Sequence, residues 1–174
     1  SKKEELERLL EEAKKKHEES ERRLRESSKK LEEEIRRMKE HSKKSSEDAE
    51  DKLRRNRASE ELLKEVKKMN EELKKKHEDL EREIEESNRR IEEKLKRNKD
   101  KSRKEEEDVR KILEDGDTGD ELLERIKDLV RRSEEENKKL LDEHRKIVKT
   151  LKERLEKLNE EHERIVREVE RRTR

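Results

Sequence analysis

A stripe of apolar and small polar residues runs along this chain in steps of four and three, and its cycle closes every ~18 residues, five turns of an α-helix at ~3.6 residues per turn. The first pass reads Leu6, Leu10, Ala13, His17, Ser20, Leu24, Ser28, Leu31, Ile35, Met38, Ser42, Ser46, Ala49 and Leu53. A second pass runs through Val66, Asn70, Leu73, His77, Leu80, Ile84, Asn88, Ile91, Leu95, Asn98 and Ser102. A third runs from Ile126 through Val130, Ser133, Asn137, Leu140, His144, Val148, Leu151, Leu155, Leu158, His162 and Val166 to Val169. A strict heptad drifts around a straight helix and imposes a left-handed supercoil, whereas this period keeps the stripe on one face with little twist. The chain therefore reads as all-α, built from three long, nearly straight helices.

Local signals divide the three passes. Ser1 followed by Glu4 and Thr118 followed by Glu121 both have the spacing of a capping box. In Asp115-Gly116-Asp117-Thr118-Gly119, Gly116 can take the left-handed conformation that ends a helix. The connection at 56–59 has neither Gly nor Pro, so Asn56 is the expected left-handed residue there, with Ser59 as the next N-cap ahead of Glu60 and Glu61. The helices are expected at about 2–55, 60–114 and 119–174, each roughly 80 Å long at ~1.5 Å per residue. Loops of about four residues join antiparallel neighbours. The expected architecture is an antiparallel up-down-up three-helix bundle forming a single domain over 1–174.

Composition sets what such a bundle can do. At 63% charged and 22% hydrophobic the chain has the profile of a disordered protein, and only the periodicity overrules that reading. Lys and Arg number 55 against 54 Asp and Glu, so no basic face is evident to collect nucleic acid or anionic lipid. No Cys, Trp, Tyr or Phe is present, which removes thiolate chemistry, Cys-based zinc sites and base-stacking platforms. No apolar run approaches the ~20 residues of a membrane span and no signal peptide precedes the first helix. The expectation is a soluble protein with no membrane affinity at neutral pH, cytoplasmic on recombinant expression.

The polar residues on the stripe carry the most chemistry. Antiparallel pairing centred on residues 57 and 58 would put His17 level with Asn98, Ser28 with Asn88, and Ser45 with Asn70. Pairing about the second loop would put Asn98 with Asn137, Ser102 with Ser133, Asn88 with His144, His77 with Asn159, and Asn70 with His162. One expected layer holds His17, Ser20, Asn98, Ser102, Ser133 and Asn137; a middle layer holds Ser27, Ser28, Ser87, Asn88 and His144. A third gathers His41, Ser42, Ser45, Ser46, Asn70, His77, Asn159 and His162. A buried polar group costs about 1–3 kcal/mol when unpaired and little when satisfied. Aligned layers thus penalise any slipped register that would set Asn or His against Leu.

Sharper chemistry finds less support. His41, His77 and His162 fall near one end, but no two histidines stand four apart and no HExxH occurs, so no metal or other cofactor is expected. The Asp115–Asp120 run departs from a calcium loop at Gly119, Asp120 and Ile126. Nothing marks a nucleophile turn or an oxyanion hole, so the chain is not expected to be an enzyme. A pH response is the strongest functional reading. An imidazole buried as a neutral network member has a folded pKa below its unfolded value of about 6.5, so its contribution to stability is present above that value and lost below it.

These features together resemble computationally designed helical bundles with buried hydrogen-bond networks: uniform helix lengths, a straight repeat, a Glu/Lys/Arg-saturated surface, no aromatics, and aligned His, Asn and Ser layers. The resemblance covers the whole chain and implies a scaffold, a specific oligomer or a pH-responsive switch, with no natural biochemical activity. Two stretches depart from it. Lys39–Lys52 holds only Ala49 as an apolar residue and Lys96–Asp108 holds none, while Glu105 and Glu106 fall where the second helix points inward. Those stretches are expected to pack loosely. No partner is required, although an open bundle that accepts a second copy or a partner helix is the competing reading.

Overall fold

In the computed structural model, which describes residues 1–116 and 119–173, the chain forms α1 (Lys2–Arg55), α2 (Glu60–Glu114) and α3 (Asp120–Arg172). The three pack against one another as an all-α bundle. The first two starts are capped as their sequence requires. The Ser1 hydroxyl accepts the Glu4 N–H at 3.3 Å and the Ser59 hydroxyl accepts the Leu62 N–H at 3.2 Å. Thr118, expected to cap α3, lies outside the described residues. The Gly119 carbonyl accepts the Leu123 N–H at 3.2 Å, which makes Gly119 the residue flanking α3.

The two helix ends differ in how they turn. Gly116 follows α2 at φ 85 and donates its N–H to Leu113, at no steric cost for a residue without Cβ. At the end of α1 the left-handed residue is Arg57, at φ 53, rather than the expected Asn56. Asn56 instead sits one position earlier, where its side-chain amide donates to the Lys52 carbonyl at 3.0 Å. The backbone then closes a Schellman motif, with the Ala58 N–H on the Leu53 carbonyl and the Arg57 N–H on the Arg54 carbonyl. Ala58 packs on the cluster that contains Leu53, the hydrophobic contact that accompanies this motif. That packing fixes which residue must turn, and the turn falls on an arginine.

The described residues divide into two compact units, Ser1–Ser28 with Asn88–Lys146 and Lys29–Ser87 with Ile147–Arg174. In the first unit, Leu6, Leu10, Val109, Leu113, Leu122, Ile126 and Leu129 form one core cluster, and Leu24, Ile91, Leu95 and Leu140 form another. In the second, Leu31, Ile35, Leu73, Leu80, Ile84, Leu151, Leu155 and Leu158 form a cluster, and Ala49, Leu53, Val66 and Val169 form a smaller one. All but Val109, Leu113, Leu122 and Leu129 are residues of the repeating stripe.

Helix directions follow from the contacts inside each unit. Lys2 pairs with Asp120 and Lys16 with Glu134, so α1 and α3 run parallel. In the first unit Glu11 reaches Arg110 and Arg25 reaches Glu92, and in the second Lys39 reaches Glu81 and Glu50 reaches Asn70, so α1 and α2 run antiparallel in each. Between α2 and α3 the first unit has Lys94–Glu143, Lys101–Glu136 and Glu105–Arg132, and the second has Glu65–Arg172, Lys76–Glu161 and Glu83–Arg154. In every pair a step forward on α2 is matched by an equal step back on α3.

The apolar-poor stretches produce gaps. In the first unit a cavity of about 590 Å³ adjoins Leu10, Leu129 and Val130, where α2 supplies Ser102 and Glu106 instead of apolar side chains. Glu105 and Glu106 are half-buried and turn to Arg132 and Arg110 at 3.5 and 2.8 Å. In the second unit a smaller cavity of about 190 Å³ is bounded by Ser42, Ser46, Asn70 and His77.

Candidate functional site

Buried polar residues on the inward stripe form the candidate site, and three of their contacts join α1 to α3. His17 Nδ1 lies 3.0 Å from Asn137 Oδ1. An amide oxygen can only accept, so Nδ1–H donates and Nε2 carries the lone pair. His144 Nε2 lies 2.9 Å from the Ser27 hydroxyl, and His162 Nδ1 lies 3.4 Å from the Ser42 hydroxyl. Stripe positions repeat in phase on parallel helices, which is why each pair sits at the same height.

A fourth histidine is satisfied within its own helix. His77, only 1% exposed, donates Nδ1–H to the Leu73 carbonyl at 2.9 Å. Nothing in the side-chain pattern marks this contact, because every helix position has a carbonyl one turn back. Asn88 donates its amide to the Ser28 backbone carbonyl at 3.0 Å, joining the expected partners through main chain rather than side chain.

Other expected members meet different neighbours. Asn70 is buried and its amide reaches Glu50 at 3.5 Å, while Ser45 is half-buried and makes no bond to it. Asn159 is half-buried and donates to Glu163, one turn along α3, at 3.5 Å. Ser20, Asn98, Ser102 and Ser133 are half-buried and none of them bonds to the His17–Asn137 pair. Ser102 and Ser133 line the larger cavity together with His17.

Sequence reasoning missed the carboxylates at these sites. Glu21 is buried and pairs with Arg25 at 2.6 Å, and Glu50 and Glu163 take the amides of Asn70 and Asn159. In a chain so rich in Glu, no pattern singles out buried Glu21 or half-buried Glu50, while Glu163 stays exposed.

The electrostatics centre on two histidines. Burial pushes the His144 imidazole below its ordinary 6.5. The His162 pKa is lowered as well, first by burial, then by repulsion from His41 and His77, against a smaller opposing pull from Glu163. The exposed His41 ring stands edge-on to His162 with centroids 6.3 Å apart. His144 Nδ1 and His162 Nε2 are buried with no hydrogen-bond partner among the described residues. Protonation would turn these atoms into N–H donors with nothing to accept them.

Comparison with known proteins finds no family model, no curated protein and no solved structure that matches the chain. Among the described residues, no group of three or more His, Cys, Asp or Glu side chains is placed to hold a metal ion. None of the helices is long and apolar enough to cross a membrane.

Proposed function

We propose that this chain is a designed structural scaffold without natural biochemical activity, a soluble bundle whose buried His, Asn and Ser contacts specify helix register and make the fold pH-responsive. The observation that carries the reading is the set of three contacts between α1 and α3 that each hold a buried histidine: His17–Asn137, Ser27–His144 and Ser42–His162. A helix slipped by one turn would break all three and bury their groups against Leu or Val, at about 1–3 kcal/mol for each group left unpaired. Apolar packing alone discriminates registers far less sharply. Two of these imidazoles, His144 and His162, link register to pH, because burial lowers both below their ordinary 6.5.

The test is chemical denaturation followed by circular dichroism at about pH 7.5 and pH 5. The midpoint is expected to fall at the lower pH, and an unchanged midpoint would sink the pH-responsive reading. Light scattering at neutral pH tests the single-chain scaffold. A mass near 21.5 kDa supports it, whereas a multiple would mean that the bundle associates with further copies through helix packing.

A further inference from the structure

We propose that the α1–α2 turn is the site at which a serine protease of the trypsin type cuts the folded chain, between Arg57 and Ala58, into two fragments that stay assembled. Lys and Arg number 55, and the acidic pocket of such a protease takes either one. Its cleft also needs several residues of extended backbone around the cut bond, which a helix interior yields only by unfolding locally. Among the described residues outside the helices, Arg57 is the one Lys or Arg.

The turn is also poised to open. Arg57 is exposed, and its backbone sits in the left-handed region at φ 53. A residue with Cβ occupies that region at a cost, so drawing Arg57 into an extended strand releases strain. The backbone bonds given up are those of the turn itself: Asn56 N–H to Lys52, Arg57 N–H to Arg54 and Ala58 N–H to Leu53. The apolar contact given up is that of half-buried Ala58 on the cluster that holds Leu53. The other connection offers this protease nothing, because Asp115-Gly116-Asp117-Thr118-Gly119 has no Lys or Arg.

Water is the second reactant. The bond between the Arg57 carbonyl carbon and the Ala58 nitrogen breaks, the hydroxyl of a water joins the carbon and its proton joins the nitrogen. After the acid's own proton moves to the amine, Arg57 ends in a carboxylate and Ala58 begins with an ammonium. The cut leaves the packing of α1 in place. Leu6, Leu10 and Leu24 remain in the clusters of the first unit, and Leu31, Ile35 and Leu53 in those of the second. Residues 1–57 therefore become a helix held without a covalent link on the remaining α2 and α3.

The experiment treats the whole chain at pH 7.5 with a trace of trypsin, quenches samples over time and reads the intact masses of the products. The first cut between residues 10 and 165 is expected after Arg57, giving fragments 1–57 and 58–174. The two should elute with the uncut chain in size-exclusion chromatography and separate in urea. Arg57→Gln should slow the first such cut roughly tenfold or more, because the protease must then wait for a helix to open. Arg57→Lys, which the same pocket accepts, should restore it. A first cut at a helical Lys or Arg, including the apolar-poor 96–104 stretch of α2, would overturn the proposal. So would an undiminished rate in Arg57→Gln, a slow cut in Arg57→Lys, or fragments that part without urea.

Discussion

The His17 Nδ1–H donates to Asn137 Oδ1 across 3.0 Å, a buried bond from α1 to α3 between residues on parallel helices. With Nε2 already lacking a partner, this is the hydrogen bond that satisfies the ring. Asn137→Leu removes the acceptor and keeps the imidazole buried, so a loss of about 1–3 kcal/mol is expected in urea denaturation at pH 7.5. Replacing both residues, as His17→Leu with Asn137→Leu, should recover most of that loss, because no polar group is then stranded. A double variant as unstable as the single one would show that the bond does not carry the cost.

Acid should weaken the fold through His144 and His162. Both have folded pKa values lowered from 6.5, so below about 6.5 the unfolded chain binds more protons than the folded one. Their contribution is complete above that pH and drains as pH falls towards the folded values. The urea midpoint should therefore drop between pH 7.5 and 5. The drop should shrink in a His144→Leu, His162→Leu variant. An equal drop in that variant would assign the effect to other groups.

Helix spans and cores were legible because each stripe residue repeats its neighbours' message: Leu80, Ile84 and Ile91 face inward by spacing alone and are buried. The buried polar sites were legible in part. His17, Asn137, His144 and His162 lie on α1 and α3 stripes that run in parallel, and in-phase repeats align without knowledge of any loop. Contacts to α2 are less legible: Asn88 meets Ser28 through a backbone carbonyl, an atom that residue spacing does not name. The left-handed residue at the end of α1 was hidden for a related reason. Tertiary packing of Ala58 beside Leu53, which local residue preference does not report, puts Arg57 at φ 53.

Replacing that arginine should stabilise the chain. A side chain with Cβ pays about 1–2 kcal/mol to sit in the left-handed region, while Gly pays about 0.5–1 kcal/mol in unfolded-state entropy. Arg57 is exposed and sits in the first turn outside α1, so few side-chain contacts are lost. Arg57→Gly is expected to raise stability by about 0.5–1 kcal/mol, read as a higher urea midpoint with an unchanged slope. Arg57→Val should do the reverse, because a β-branched residue is the least tolerant of this backbone region. If both substitutions moved the midpoint the same way, backbone conformation would not be the cause.

Stability should also vary along α2 inside the first unit. Ile91 and Leu95 pack with Leu24 and Leu140, and farther along Val109 and Leu113 pack with Leu6, Leu10 and Ile126. Between them, Lys99, Ser102, Arg103, Glu106 and Glu107 border a cavity of about 590 Å³, and Asn98, Ser102, Glu105 and Glu106 are half-buried. Local opening costs least where few apolar contacts are broken, so amides at 99–107 should exchange faster with deuterated water than those at 91–95 and 109–113. The contrast should fade in the Ala13→Leu, Ser102→Leu variant, since new apolar contacts tie this stretch to α1. Uniform protection along α2 in the unaltered chain would mean that its hydrogen-bond ladder opens as one cooperative unit, with the apolar gap having no local effect.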